Sequence, residues 1–369
     1  MIFCNECFND VQIRSVIEGV NLKRNSTKGK CPLCGKNNVF LYDTDKENSL
    51  KDFFNELIMI YTPQELLPPD YPNSEMHMLA DELKNEWNIF SRSVSPRNIY
   101  DIVKALSINL YSDSANLFDT PVGVPEKYDE SYLEEHSILR GYNWSEFVES
   151  IKHENRFHTQ MINTEKLSTY LSYLRKDYKK GKSMYRGRLC NGDKFFKPSE
   201  MGAPPKEYAK EGRANSNGIS RLYLADCQKT CIHEIRSGAF DIISIGKFVL
   251  KENISVIDFK QINNFSPFNG DFDFLEYLIN KPVLHKIDEE MGRAVRSSDN
   301  HLDYIPTQYL CDFIKTLEYE LNKKYSGVEY SSTLNSEGYN LAIFYPELFK
   351  CTSVNAISIE KLEYKFSKM

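Results

Sequence analysis

Two Cys-x-x-Cys pairs near the N-terminus impose the strongest constraint on how this chain folds. Cys4 and Cys7 form the first pair, and Cys31 and Cys34 form the second. Each pair supplies two thiolates from one tight turn, so the four sulfurs can close a tetrahedron that leaves no coordination position open for catalysis. The spacing therefore predicts a zinc ribbon over residues 1–42 that holds a structural Zn²⁺ ion. Two unrelated pairs of reduced thiols are the competing interpretation, which the turn chemistry of residues 32–35 disfavours.

The number of cysteines indicates a reducing compartment. The chain has nine cysteines, and an odd total that includes two such pairs suits metal binding better than disulfide bonding. No apolar run approaches the length of a membrane span, and the first residues lack the charged start and apolar stretch of a secretion signal. We therefore expect a cytoplasmic protein with no membrane contact.

Length and charge limit the classes of partner. A chain of 369 residues has room for two to three domains. The net charge of −6 argues against general nucleic-acid binding. Residues 1–40 nevertheless carry a mild basic excess, which permits contact between the zinc ribbon and nucleic acid or an acidic protein. A solvated ribbon surface explains the same excess, and both interpretations stay open.

Residues 45–178 have helical periodicity. Apolar residues recur at helical spacing over residues 50–58, and Ser95, Asn143 and Asn163 are suited to begin further helices. Proline-rich stretches at 66–72 and 119–125 connect these segments. We therefore predict an all-helical middle domain of about five helices.

Residues 180–365 combine strands and helices. Residues 220–225, 246–250 and 254–259 have the composition of strands. Asp226 is placed to cap a helix over residues 227–236, a helical insertion begins at 271–276, and a long helix is expected from Pro306 to near Lys324. The fold class is therefore α+β, with a C-terminal mixed β-sheet and flanking helices.

A set of motifs in this C-terminal region carries the functional information. Arg186 and Arg188 precede a Gly-Arg-Ala-Asn segment at 212–215, and Leu-Tyr-Leu-Ala at 222–225 precedes Glu234. Ser332 and residues 338–344 follow near the end of the chain. In this order the motifs resemble the RES domain family, which is named for its Arg, Glu and Ser, and the resemblance covers residues 180 to 360. It implies a core similar to that of ADP-ribosyltransferases and NAD⁺ as substrate.

The resemblance also implies roles for the charged residues. Cleaving the nicotinamide–ribose bond builds positive charge on the ribose, which a nearby carboxylate stabilises, and Glu234 is the candidate. The pyrophosphate of the dinucleotide requires a cation, and an arginine binds it in bidentate fashion. Arg213 and Arg186 are the candidates, although Arg188 also fits the position of Arg186.

Four polar residues complete the expected site. The ring of Tyr223 can stack on the substrate while its hydroxyl makes an orienting hydrogen bond. Ser332 and Asn340 can position either the ribose or the catalytic carboxylate. Asn215 belongs to the expected cofactor-binding set with Asn340, and Tyr223 and Ser332 belong to the catalytic set.

The middle segment resembles the helical domain that precedes RES domains in some proteins and is grouped with the HEPN superfamily. Many HEPN proteins are ribonucleases with an Arg-x4–6-His motif. Residues 45–178 lack that spacing, because Arg156 lies too close to both His153 and His158. We therefore expect a scaffold or partner-binding domain.

Three functional hypotheses follow. The first is an NAD⁺-degrading enzyme, a glycohydrolase or phosphorylase, that acts as an intracellular toxin or anti-phage defence effector. The second is an ADP-ribosyltransferase that modifies a macromolecule, since the same cleft serves both reactions. The third is a non-catalytic zinc-ribbon binding protein with an inactive RES-like half. The resemblance also implies an antitoxin or regulatory protein as partner, and a homo-oligomer is expected as well.

Overall fold

The computed structural model describes residues 1–25, 28–190, 192, 194–269, 272–293 and 301–363. The chain folds into two compact units. The first unit comprises Met1–Ser137 and Asn264–Lys281, and the second comprises Ile138–Asn263 and Pro282–Met369. The predicted three-part division at residues 1–42, 45–178 and 180–365 stays a prediction.

The N-terminal part of the first unit is built on a short strand pair. Strand β1 (Ile2–Cys4) pairs antiparallel with β2 (Leu41–Asp43), and helix α1 (Val11–Lys23) lies between them in sequence. The side chain of Asp10 accepts a hydrogen bond from the Ile13 amide and so caps α1. Both cysteine pairs lie within this segment.

The rest of the first unit contains helices where the periodicity predicts them. Helix α2 (Lys51–Ile58) buries Phe54, Leu57 and Ile58. Ser95 caps the helix that Pro96 begins, as predicted, because its side chain accepts from the Asn98 amide. The other helices are α3 (Leu79–Asp81), α4 (Pro96–Leu106), α5 (Ile108–Asp113), α6 (Asn116–Asp119) and α7 (Glu130–His136).

The expectation of an all-helical middle segment is wrong in one respect. Strands β3 (Thr62–Pro63), β4 (His77–Met78) and β5 (Pro121–Gly123) form a three-stranded sheet in the order β3-β5-β4. Pro63 and Pro121 lie within these strands. Pro63 lies in the edge strand β3, and Pro121 is the first residue of the central strand β5. Both are positions at which a sheet tolerates proline. Pro121 also falls within the proline-rich stretch at 119–125, whose composition predicts a connection.

Two capped helices open the second unit. Helix α8 (Trp144–His153) begins at Asn143, which forms a capping box with Glu146. Helix α9 (Thr164–Ser172) begins at Asn163, whose side chain accepts from the Lys166 amide. Both predicted helix starts are confirmed.

An eight-stranded mixed sheet forms the body of the second unit. Its strands are β6 (Arg175–Tyr178), β7 (Ser183–Leu189), β8 (Leu222–Ala225), β9 (Ile242–Leu250), β10 (Ile254–Asp258), β13 (Gly327–Ser331), β14 (Tyr339–Ile343) and β15 (Phe349–Ser358). Their order is β15-β9-β7-β8-β14-β13-β10-β6, and only the β10–β13 pair is parallel. Apolar side chains such as Met184, Leu224 and Leu341 pack into one core cluster of the sheet.

The C-terminal helices differ from expectation at their ends. Helix α10 (Gln228–Ile235) is capped by Cys227 instead of Asp226, because the Cys227 side chain accepts from the Thr230 amide. Helix α11 (Phe274–Gly292) begins close to its predicted start.

Helix α12 (Ile305–Thr316) ends well before Lys324, and a two-stranded hairpin of β11 (Glu318–Glu320) and β12 (Lys323–Lys324) follows it. Asn322 turns that hairpin with a φ of 60°, and Leu321 is 88% exposed. Apolar residues at helical spacing therefore extend beyond the last residue of α12. Among the described residues, no helix combines the length and apolar character that crossing a bilayer requires.

Candidate active site and metal centre

The four predicted metal ligands lie together in the first unit. Cys4 Sγ is 3.7 Å from Cys7 Sγ and 3.6 Å from Cys34 Sγ, and Cys7 Sγ is 3.8 Å from Cys31 Sγ. A tetrahedral zinc site with Zn–S bonds of about 2.3 Å requires sulfurs about 3.8 Å apart. These three distances match that spacing, and all four sulfurs lie within 4.8 Å of one another, so the residues fit a Zn²⁺ site.

The local chain geometry at the second pair suits the same role. The Cys34 amide donates to Cys31 Sγ at 3.5 Å, and Gly35 adopts a φ of 73°. Only glycine takes up such a conformation without strain, which explains the Cys-Gly end of the motif. Hydrogen bonding with Cys7, the largest effect, lowers the pKa of Cys4 to about 5, so Cys4 is the thiolate of this pair. The same hydrogen bond, together with burial, raises the pKa of Cys7, and burial raises the pKa of Cys31.

A separate cavity of about 200 Å³ lies in the second unit. Strands β7, β8, β13 and β14 and helix α10 all contribute to its walls. The lining residues are Tyr185, Arg186, Gly187, Tyr223, Leu224, Ala225, Cys231, Glu234, Ile235, Tyr330 and Asn340. Four of the eight predicted active-site residues are in this set: Arg186, Tyr223, Glu234 and Asn340.

The strand register explains why residues distant in sequence meet here. Tyr185 pairs with Ala225, Ala225 pairs with Asn340, and Asn340 pairs with Tyr330. Directly opposed residues of neighbouring strands lie about 5 Å apart, so these residues form a row across four strands. The Tyr185–Ala225 pair is the single registered pair between β7 and β8. The two strands therefore diverge beside the cavity.

Glu234 is held by two donors at one oxygen. Ser332 Oγ and Asn340 Nδ2 each donate to Glu234 Oε1 at 2.7 Å. Both donors are buried, whereas Glu234 is exposed. A carboxylate that accepts two such bonds is fixed in orientation, and its second oxygen has no hydrogen-bond partner within the described residues. Glu234 therefore presents an oriented negative charge at the cavity.

Helix α10 approaches β7 closely because residue 187 is glycine. A Cβ atom at Gly187 would lie 2.0 Å from Ile235 Cδ1 and 3.0 Å from Cys231 Sγ. No real Cβ tolerates such a distance. A side chain at residue 187 would therefore force the Ile235 side chain, or the helix that carries Glu234, to move.

Arg186 is a half-buried cation, and two of its guanidinium nitrogens, Nε and Nη1, are buried without an acceptor among the described residues. Burial, with a smaller effect of nearby Arg188, lowers the pKa of Arg186 to about 10. An unpaired buried guanidinium is costly unless it binds an anion. This arginine therefore has the environment expected of an anion-binding residue.

The other two candidate arginines lie elsewhere. Arg188 is exposed, and its Nη1 donates to the Glu200 carbonyl at 2.6 Å while its guanidinium lies 4.3 Å from the Phe196 ring centroid. The structure thus places Arg186, and not Arg188, at the cavity wall.

Arg213 closes the C-terminal end of α11, where it donates to the Glu290 carbonyl at 2.5 Å and to the Arg293 carbonyl. Cations are favoured at such helix ends. Its guanidinium is also 5.6 Å from the ring centroid of Tyr330, which lines the cavity, but Arg213 itself is not a lining residue.

Tyr223 and Asn215 organise the loop that bears Arg213. The Tyr223 hydroxyl accepts from the Ala214 amide at 3.0 Å and donates to Asn215 Oδ1 at 2.6 Å. Burial raises the pKa of Tyr223 well above its usual value, so the phenol stays protonated. Asn215 Nδ2 donates to the Lys210 carbonyl at 2.9 Å. The Asn215 side chain is therefore hydrogen-bonded within the loop, and Asn215 does not line the cavity.

Three residues at or beside the site were not identified from the sequence. Tyr185 and Tyr330 line the cavity, and each lies within two positions of a predicted residue. Gln308 on α12 donates from Nε2 to the carbonyls of Gly212 and Asn215, both at 3.0 Å. Only the strand register and the packing of α12 reveal these contacts.

The arginine considered for a ribonuclease motif has a local role. Arg156 donates to the carbonyls of Ile151 and Lys152, both at 3.3 Å, and thus satisfies groups at the end of α8. The expectation that residues 45–178 lack a catalytic Arg–His pair stays a prediction.

Comparison with known proteins gives one match. A family model described as the RES domain matches residues 187–367. No curated protein and no solved structure matches the chain. The matched range begins immediately after Arg186, and it leaves the zinc ribbon and the resemblance of residues 45–178 to HEPN proteins as predictions.

Proposed function

Because residues 187–367 form a RES domain, we propose that the chain cleaves the nicotinamide–ribose bond of NAD⁺ at the cavity that contains Glu234. RES domains are a family of NAD⁺-consuming toxins. The proposal therefore assigns this chain an NAD⁺-degrading activity and a role as a toxin or defence effector.

The observation that carries the proposal is the pair of hydrogen bonds to one oxygen of Glu234. Ser332 and Asn340 both donate to Oε1, so the carboxylate needs no reorganisation when charge develops. As the glycosidic bond breaks, its electron pair leaves with neutral nicotinamide and the ribose becomes cationic. A fixed carboxylate stabilises that cation more than it stabilises the substrate. Water then forms the new C–O bond and releases a proton.

The buried guanidinium of Arg186 supports the choice of an anionic substrate. A phosphate oxygen would satisfy the Nε and Nη1 donors that lack partners within the described residues. The aromatic rings of Tyr185 and Tyr330, which line the same cavity, offer faces for stacking on the nicotinamide or the ribose.

The size of the cavity limits how much of the dinucleotide it encloses. Pockets for drug-sized ligands are typically about 300–1,000 Å³, and this cavity is about 200 Å³. The reacting nicotinamide riboside end therefore occupies the cavity, and the adenosine end extends beyond it.

The remaining enzymatic alternatives differ in the group that accepts ADP-ribose. Hydrolysis, phosphorolysis and transfer of ADP-ribose to a macromolecule share the cleavage step and the residues described here. The hypothesis of a non-catalytic RES-like half is less favoured, because one cavity joins an oriented carboxylate to a buried guanidinium.

The proposal assigns a structural role to the N-terminal metal centre. Four thiolates at tetrahedral spacing would hold Zn²⁺ with no open position, so the ion would stabilise the fold of residues 1–42 and take no part in the reaction. The middle segment is assigned a scaffold or partner-binding role, with an antitoxin or regulatory protein as the expected partner.

The direct test is nicotinamide release from NAD⁺ by the purified full-length protein. Product analysis then identifies the acceptor: free ADP-ribose for water, ADP-ribose 1″-phosphate for phosphate, or labelled protein for a macromolecule. If the wild-type protein released no nicotinamide in the presence of water, phosphate or a cell extract as the source of acceptors, the proposal would be wrong.

A further inference from the structure

A second cavity, of about 370 Å³, lies wholly within the first unit. Two proline-containing connections form it, one over residues 68–72 and the other over residues 125–129. The lining residues are Pro68, Asp70, Tyr71, Pro72, Pro125, Glu126, Tyr128 and Asp129. The set combines three prolines, two tyrosines and three acids, a composition that the proposed NAD⁺ chemistry does not use.

The two tyrosines form a right-angled aromatic corner. The ring centroids of Tyr71 and Tyr128 are 5.3 Å apart and the ring planes meet at 83°. Tyr71 is fixed, because its hydroxyl accepts from the Val124 amide at 3.0 Å and a Cβ at Gly123 would lie 2.6 Å from its Cζ. Tyr128 is 49% exposed. One wall is therefore rigid, and the other presents ring surface to an incoming group.

The electrostatic character of the cavity selects a cation. Its described lining contains Asp70, Glu126 and Asp129 but no lysine, arginine or histidine. Hydrogen bonds led by the Ser131 hydroxyl hold the pKa of Asp129 below its usual value, so it stays ionised. Prolines have no backbone N–H to offer an anion. The lining therefore supplies negative charge and aromatic faces.

Glu126 provides the most specific indication of a ligand. Within the described residues, its Oε2 atom is buried and has no hydrogen-bond partner. An unsatisfied buried carboxylate oxygen costs free energy that a cationic or hydrogen-bond-donating ligand would recover. This oxygen belongs to a residue of the cavity wall, next to the exposed ring of Tyr128.

The geometry disfavours a metal ion as the occupant. In the part of the chain that the structure describes, the cluster of Cys4, Cys7, Cys31 and Cys34 is the one group of His, Cys, Asp or Glu side chains whose ligand atoms are close enough to share an ion. The three carboxylates of the cavity do not meet that condition. An organic cation, which needs aromatic contact and only one carboxylate, matches the lining better.

We propose that this cavity binds an alkylammonium group, held by the rings of Tyr71 and Tyr128 and by the carboxylate of Glu126. The group can belong to a small quaternary amine or to a lysine side chain, methylated or not, of a partner protein. The chemistry of recognition is the same for both sources. The inference is independent of the NAD⁺ reaction, since it rests on the first unit alone.

The test is isothermal titration calorimetry of the full-length protein with choline and with its neutral isostere 3,3-dimethylbutanol. Choline should bind saturably, and the neutral isostere should bind at least about tenfold more weakly, because it lacks the charge that the rings and Glu126 recognise. A peptide with trimethyl-lysine that binds more tightly than choline would identify a protein side chain as the ligand. Tighter binding of choline would identify a small amine.

Two variants assign the binding to this cavity. Tyr128→Leu should weaken binding about two- to thirtyfold, the range expected for one cation–π contact, and Glu126→Gln should weaken it without removing a ring. Tyr142→Leu is the matched control, because Tyr142 is 48% exposed against 49% for Tyr128, and it should leave the affinity unchanged. Circular dichroism confirms that each variant is folded.

Three results would overturn the proposal: no saturable binding of choline or of the trimethyl-lysine peptide, equal affinity for 3,3-dimethylbutanol, or unchanged affinity in Glu126→Gln. The last measurement keeps the test decisive if Tyr128→Leu does not fold.

Discussion

Ser332 donates a 2.7 Å hydrogen bond to Oε1 of Glu234, although the two residues are 98 positions apart in sequence. Glu234 lies on α10, and Ser332 follows directly after β13. The same oxygen accepts from Asn340 on β14. The orientation of the carboxylate therefore depends on the sheet as much as on its own helix, and this dependence can be measured.

We expect Glu234→Gln to lower the turnover of NAD⁺ by roughly a hundred- to a thousandfold, since it removes the charge that stabilises the ribose cation. The affinity for NAD⁺ should change much less, because positive charge appears mainly in the transition state. Nicotinamide release at saturating and subsaturating NAD⁺ measures both quantities. Glu252→Gln, at an exposed position between β9 and β10, is the control. Wild-type turnover in Glu234→Gln would exclude this carboxylate from catalysis.

The two donors to Glu234 should act as a coupled pair. Ser332→Ala and Asn340→Ala should each lower turnover by roughly tenfold, since each removes one bond to a charged oxygen. Because both bonds hold the same oxygen, the double variant should differ from the product of the single effects. A double-mutant cycle on kcat tests this, and strictly multiplicative effects would show that the donors act separately.

Arg186 should contribute to substrate binding at the expense of stability. Arg186→Met should raise the KM for NAD⁺ by roughly ten- to a hundredfold, the value of a charge-assisted hydrogen bond. It should also raise the free energy of unfolding of the ligand-free protein by roughly 1–3 kcal/mol, because two buried N–H groups without an acceptor are removed. Steady-state kinetics and denaturant unfolding measure the two effects.

Arg188→Met is the matched control for that prediction. Arg188 is exposed and bonded to the Glu200 carbonyl, so its loss should change KM by less than about threefold. A larger effect at Arg188 than at Arg186 would reverse the assignment of the two arginines.

Tyr223→Phe should loosen the loop that carries Arg213. The variant leaves the Ala214 amide and Asn215 Oδ1 without the hydroxyl that now pairs with both, and an unsatisfied buried group costs about 1–3 kcal/mol. We expect faster hydrogen exchange over residues 209–218 together with lower turnover. If exchange in this loop stayed at the wild-type rate while turnover fell, the hydroxyl would act on the substrate directly.

Removal of the metal ligands should affect the N-terminal segment. The wild-type protein should contain about one zinc ion per chain. Cys31→Ser should lose that zinc and make residues 1–43 sensitive to proteolysis, because so short a segment depends on its metal to fold. Cys351→Ser, which lies outside the cluster, should keep it. Elemental analysis and limited proteolysis provide the measurements, and full zinc content in Cys31→Ser would place the site elsewhere.

Local signals in the sequence were sufficient for much of the fold. Caps at Asp10, Ser95, Asn143 and Asn163 all begin helices in the structure, although only the last three were predicted from sequence. Helix ends were harder to predict, because apolar residues recur at helical spacing as far as Leu321 although the helix ends at Thr316. The short sheet of the first unit was missed because its strands are two or three residues long and two of them contain proline.

The site was predictable by residue type but not by contact. Glu234 and Asn340 do line one cavity, as the order of the motifs implied. The sequence left Arg186 and Arg188 undecided, because strand pairing and burial separate them and neither is visible in the motif. Asn215 matched the family pattern, yet its side chain is engaged within its own loop. Such distinctions depend on strand pairing, burial and local hydrogen bonds, which residue type alone does not reveal.

The close approach of α10 to β7 has a consequence for genetics. A methyl group at residue 187 would collide with the side chain of Ile235, so that side chain or the helix that carries Glu234 would have to shift. Under the proposed toxin role, a screen for cells that survive expression of this chain should recover Gly187 substitutions alongside those at Glu234. In such a screen a position with no chemistry of its own would be as informative as the acid itself.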